Sequence, residues 1–190
     1  LDVYARRTFY RPLGLSTTMF NPWQFGLTDR CVPTEEDNYF RQQRLQGYVH
    51  DMGAAMLGGV SGHAGLFSNA NDLAKIFQML LNKGEYGGRR YIKAETITEF
   101  TTRYPGSTRR GIGFDMKELN PDLPQTVCPQ AGPNTYGHTG FTGNGVWADP
   151  DRQLIFVFLS NRTYPAMTNR KIIDGAYRPW IEVIVYGALL

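Results

Sequence analysis

The stretch "YGHTGFTGNGVWADPDRQLIFVFLSNRTYP", Tyr136 to Pro165, decides how this chain is read. Alternation in "GVWADP" and the β-branched, aromatic run "LIFVFLS" predict two strands that meet at the turn "DPDRQ". Strands joined so tightly are antiparallel neighbours. A further strand enters from Tyr136 and carries the triplet His138-Thr139-Gly140.

Outward from this sheet the pattern turns helical. In "NDLAKIFQMLLNKG", Leu73, Ile76, Phe77, Leu80 and Leu81 share one face, Asn69 or Asn71 can cap the start, and Gly84 stops the helix. "KAETITEFTTRY" is a second, weaker helix and "GIGFDMKEL" a strand. The opening stretch, Leu1 to Tyr10, fits an amphipathic helix ended by Pro12 and Gly14. Ser16 to about His50 reads as loop, a Gly-rich stretch follows from Asp51, and "NPDLPQTVCPQAGPN" is a long loop. "NRKIIDGAYRPWIEVIVYGALL" has a helical period, with Pro179 predicting a kink or a late start. The expected fold is α/β of the α+β type, an antiparallel sheet flanked by helices, with residues 1–190 in one domain.

Bulk properties narrow the function. The 190 residues are 42% apolar and 19% charged, ordinary for a folded domain. The net charge of +3 is spread over isolated pairs such as Arg6-Arg7 and Arg109-Arg110, which argues against nucleic acid as a partner. No run approaches the ~18 apolar residues of a membrane span. Cys31 and Cys128 sit in separate loops without metal-type spacing, and His50, His63 and His138 make no i, i+4 pair with another ligand. No phosphate-binding loop occurs, so neither a metal nor a cofactor is expected.

Acyl-transfer chemistry needs a nucleophile. Ser61, in "GGVSGHAG", stands between glycines, with Asp72 or Asp115 and then His138 following in the order of an α/β-hydrolase triad. The elbow motif G-x-S-x-G follows a hydrophobic strand, however, and here His63 takes the place of the last glycine. A Gly-rich loop that lets the backbone pass close to a ligand is the favoured reading of this stretch.

"RPLGLSTTMF", "SGHAGLFSNANDLAKIFQMLLNKGEYGG", "YGHTGFTGNGVWADPDRQLIFVFLSN" and the closing helix, in that order, resemble the serine β-lactamase and penicillin-binding-protein superfamily. The likeness is to its class C, D,D-peptidase and esterase branch. His138-Thr139-Gly140 falls where that family has K-T-G. The resemblance implies that the triplet lies on an edge strand and binds substrate. Phe141 would offer its backbone N–H to the oxyanion, and Gly140 would let the acyl group lie against the strand. Thr139 would hydrogen-bond a substrate carboxylate, and His138 would supply a donor or partial positive charge. It also implies a small-molecule or peptidoglycan-type peptide substrate and a periplasmic or extracytoplasmic location.

The family's nucleophile is the Ser of S-x-x-K, and its proton shuttle includes Y-x-N or S-x-N. The lysines at 75, 83, 93, 117 and 171 have Asp72, Leu80, Arg90, Phe114 and Thr168 three residues before them. No serine or tyrosine has Asn two residues on. The nucleophile is therefore absent from the chain. The expectation is the C-terminal part of a serine hydrolase domain, inactive alone, with the N-terminal half upstream; the alternative is a non-catalytic binding or scaffold module of a larger cell-envelope protein. In the family, the strand matching Leu154 to Ser160 is flanked by one from that half. Without it, this edge is expected to self-associate.

Overall fold

A computed structural model describes residues 1–107 and 109–189 and divides into two compact units. The first comprises Leu1–Asp72 with Ser160–Lys171. It opens with α1 (Asp2–Ala5), which continues as a wider helical turn over Arg6–Tyr10; Ala5 alone is buried there, while Val3 and Tyr4 face solvent. β1 (Met19–Phe20) pairs with a later strand, and β2 (Glu35–Asp37) and β3 (Gln43–Leu45) form a hairpin in the stretch expected to be loop. The buried Asp37 carboxylate organises that hairpin turn, accepting the N–H groups of Tyr39, Phe40 and Arg41. A short helix, α2 (Met52–Met56), is capped by Asp51, whose Oδ1 accepts the Ala54 N–H at 2.7 Å. β4 (Leu66–Phe67) then pairs antiparallel with β1.

α3 (Ala70–Leu81) starts where the sequence places it. Asn69 is the cap, its Oδ1 accepting the Asp72 N–H at 2.9 Å, and Gly84 ends the run at φ +92°. Asp72 turns its carboxylate back to Thr17 and Thr18, taking hydrogen bonds from the Thr17 N–H and both hydroxyls.

The second unit comprises Leu73–Leu159 and the stretch from Ile172 on. A two-residue hairpin, β5 (Glu85–Tyr86) and β6 (Arg89–Arg90), leads to α4 (Ala94–Phe100). The main sheet follows: β7 (Asp115–Met116), β8 (Tyr136–Thr139), β9 (Gly145–Asp149) and β10 (Leu154–Phe158). Every pairing in it is antiparallel and the order is β10-β9-β8-β7. α5 (Lys171–Asp174) and α6 (Tyr177–Gly187) close the chain; Pro179 falls in the first turn of α6, so the helix starts late and does not kink.

β9 is buried along its whole length. Trp147 and Phe156 pack with Val127, Cys128 and Ala131 of the long loop and with Tyr186 of α6. The loop thus supplies core residues that its prolines conceal. Asp149, at the β9–β10 turn, is 1% exposed and ties the unit together. Its oxygens accept the N–H groups of Gly132, Asp151 and Arg152 and the Tyr186 hydroxyl at 2.8–3.1 Å. A buried carboxylate so supplied with donors leaves no polar atom unmet.

Glu182 of α6 is the contrasting case. It is 2% exposed, accepts the Cys128 N–H at 2.7 Å, and burial raises its carboxyl pKa from the usual 4.5 to about 7. A pKa raised in the folded state gives stability that is complete below the unfolded value and lost as pH climbs through the folded one. Stability should therefore fall by roughly 3 kcal/mol between pH 4.5 and pH 7 through this group. Glu182→Gln keeps an acceptor for Cys128 and should flatten that slope in urea titrations. Equal slopes in both proteins would remove Glu182 as the cause.

Candidate functional site

β8 has partners on both sides only at its start. Tyr136 lies between Met116 and Ala148, and Gly137 between Asp115 and Trp147. His138 and Thr139 face Val146 and Gly145 of β9, and among the described residues no strand pairs with their other edge. The triplet was expected on an edge strand; β8 is interior for its first half and open at His138 and Thr139, and Gly140 lies just beyond the strand. The cause is local. Gly111 N–H bonds the Phe114 carbonyl at 3.0 Å, so the chain turns immediately before β7 and cannot extend along the rest of β8. The open half is a place where an extended ligand can hydrogen-bond to the backbone as an added strand.

Beyond Thr139 the chain folds into a tight turn. Gly140 donates its N–H to the Asn144 carbonyl at 2.9 Å, and Gly143 donates to the Gly140 carbonyl at 3.0 Å. Arg178 of α6 clamps this turn, donating to the carbonyls of Gly143 and Asn144 at 3.2 and 2.9 Å. Sequence reasoning passed over Arg178, because nothing local links a helix residue to a turn some 35 positions earlier. Phe141 opens the turn and is 60% exposed.

His138 is exposed and its Nδ1 lies 2.7 Å from the Thr139 carbonyl oxygen. A carbonyl only accepts, so the proton sits on Nδ1 and the outward Nε2 is an acceptor while the ring is neutral. His138 therefore offers a donor and a positive charge to a carboxylate only in its protonated form. Thr139 is half-buried beside it.

Ser61 and its two sequence-proposed acids have other partners. Asp115 is buried and ion-paired with Arg110, with Arg109 at 3.8 Å, and Asp72 is held by the two threonines. Ser61 Oγ lies 2.7 Å from Nδ1 of His63, and His63 Nε2 lies 2.9 Å from Asp51 Oδ1. Cys31 and Cys128 are both free thiols. Among the described residues no group of His, Cys, Asp and Glu is arranged to hold a metal ion, and no helix is long and apolar enough to cross a membrane.

Comparison with known proteins bears on the whole chain. The family model described as Beta-lactamase matches residues 1–176. A provisionally assigned D-alanyl-D-alanine carboxypeptidase of Salmonella gallinarum is 36% identical over 210 residues, covering 100% of this chain and 48% of that relative. The chain thus spans about half the length of such relatives. Among solved structures, a beta-lactamase from Mycobacterium bovis superposes with a TM-score of 0.61 at 20% identity, covering 98% of this chain and 56% of that one. A penicillin-binding protein homolog from Caulobacter crescentus gives 0.58 at 24% identity, covering 84% and 46%. These two likenesses concern the fold.

Proposed function

Since the chain belongs to the beta-lactamase family, we propose that residues 1–190 are the C-terminal part of one serine hydrolase domain that performs acyl-serine chemistry on D-Ala peptides or esters. The observation that carries this reading is the open edge of β8 at His138 and Thr139, with Gly140 directly after the strand; the triplet resembles the K-T-G of the family. A serine of an S-x-x-K outside these residues would attack the acyl carbonyl. The Phe141 N–H would stabilise the oxyanion, as pre-placed backbone donors do. Thr139 would bind the substrate carboxylate by its hydroxyl, and His138 would add charge to that contact when protonated. Gly140 leaves room for the acyl group.

In the longer protein, His138→Ala should lower turnover of a D-Ala-D-Ala peptide or an ester by about 10–1,000-fold, through substrate placement and oxyanion geometry. Full activity of that variant towards every substrate the parent accepts would end this reading. The 190 residues alone should not turn over such a peptide. The lack of S-x-x-K in this chain also suits a non-catalytic binding module of a larger envelope protein. Fluorescent penicillin with the adduct mapped by mass spectrometry separates the two readings: a label on the serine of an S-x-x-K in the longer protein supports the hydrolase, and its absence there supports the binding module. An extracytoplasmic location accords with a peptidoglycan-type substrate.

A further inference from the structure

The contacts of Ser61 have no part in the function proposed above. Asp51 is fixed by its backbone as the cap of α2, and the same Oδ1 that accepts the Ala54 N–H also meets His63 Nε2 at 2.9 Å. A carboxylate can only accept, so the imidazole proton lies on Nε2. Nδ1 is then a lone-pair acceptor, 2.7 Å from Ser61 Oγ. That is the hydrogen-bond logic of an activated serine: a hydroxyl facing a base whose tautomer is set by an acid.

The loop that carries these groups is held firmly. Asn21 donates from Nδ2 to the Gly58 carbonyl at 2.8 Å, and its side chain fills the space a Cβ on Gly59 would need. A Cβ on Gly65 would overlap the Gly59 carbonyl oxygen. The two glycines let the chain fold back on itself and bring position 63 over the start of α2. The side chains of His63 and Asp51 are 59% and 46% exposed, so a reagent can reach them. The backbone N–H groups of Gly62 and His63, next to Ser61, have no acceptor among the described residues. Met52, Met56, Leu57 and Leu66 of the same segment are exposed, offering apolar surface to an acyl group.

We propose that Ser61, His63 and Asp51 form a nucleophilic site that accepts acyl groups from activated carboxylic esters with short apolar acyl chains. Ser61 Oγ adds to the ester carbonyl while its proton passes to His63 Nδ1. The bond from the carbonyl carbon to the leaving alcohol breaks, and His63 returns the proton to that alcohol. The products are the acyl-serine and the free alcohol. Asp51 positions the ring and steadies the imidazolium.

The test uses the 190-residue chain, which has no S-x-x-K to compete, with p-nitrophenyl acetate and an alkyl fluorophosphonate as probes and tandem mass spectrometry to map adducts. Ser61 should carry the first adduct of each, faster than Ser16, an exposed serine without such a bond. His63→Gln should slow labelling at Ser61 by about 100-fold or more, with an unchanged thermal melt. Labelling of Ser61 no faster than Ser16 in the unaltered chain would overturn the proposal, as would a rate indifferent to His63→Gln. Neither result would touch the β8 reading, which is tested on the longer protein at His138.

Discussion

Gly137→Ala should abolish the native fold of the second unit, whereas Gly140→Ala, three residues on, should leave it standing. A Cβ on Gly137 would overlap the Val146 carbonyl oxygen and lie 2.7 Å from Trp147 Cε3 and 2.8 Å from Trp147 Cα. Those atoms belong to β9, which is buried throughout and paired with both β8 and β10. Trp147 cannot retreat, because its ring is packed in the core with Phe156 and Tyr186. Relief would require β8 and β9 to part, breaking the ladder that carries the triplet. The cost should exceed about 4 kcal/mol, a large share of the ~5–15 kcal/mol that holds an ordinary domain together. A Cβ on Gly140 meets only Asn144 Cβ at 3.5 Å and Nδ2 at 3.9 Å, which are ordinary contacts. Alanine there should change stability by less than about 1 kcal/mol.

The fold therefore gives no reason for a glycine at 140, and the proposed acyl path does. In the longer protein, Gly140→Ala should lose activity with an unchanged melting temperature. Near-UV circular dichroism of Trp147 would report the fold, and turnover the site. A Gly137→Ala protein that melts like its parent would sink the packing argument; a fully active Gly140→Ala would sink the functional one.

The 190 residues alone should self-associate through β10. This strand is bonded to β9 along one side and, among the described residues, to nothing along the other. From Leu154 to Phe158 it contains no charge, proline or bulge, the devices that discourage a second chain from pairing. α6 adds an outer face that a solvated helix would not carry: Tyr177, Trp180, Ile181 and Ile184 recur at 3, 4 and 7 residues, with Trp180 67% and Ile184 69% exposed. In the longer protein, a strand and helix from the rest of the domain are the proposed cover. In their absence a second copy pairing edge to edge is the expected substitute. Sedimentation should show concentration-dependent association, with the amides of Ile155 to Leu159 protected from exchange. A monomer whose β10 amides exchange freely, in a unit that still unfolds cooperatively, would show the argument to be wrong.

What could be read without coordinates was whatever repeats locally. β9 and β10 follow from alternation and from the turn at "DPDRQ"; α3 follows from its apolar period, with Asn69 and Gly84 at its ends. Each depends on residues a few positions apart, and that is where backbone preference and side-chain period act. The family, too, was legible, since its motifs are short and stand in order. The hairpin of β2 and β3 and the helix α2 escaped notice because three or five residues are too few to show a period. Only tertiary structure decided the rest. That β8 is open from His138 onward depends on where β7 stops. That Asp149 is satisfied depends on Gly132 and Tyr186, 17 and 37 positions away. Ser61 finds its base two residues on, and the acid that orients that base stands twelve residues before it, across a loop closed by Asn21. Such meetings are set by how packed elements bring distant parts of the chain together, and no local pattern in the sequence carries them.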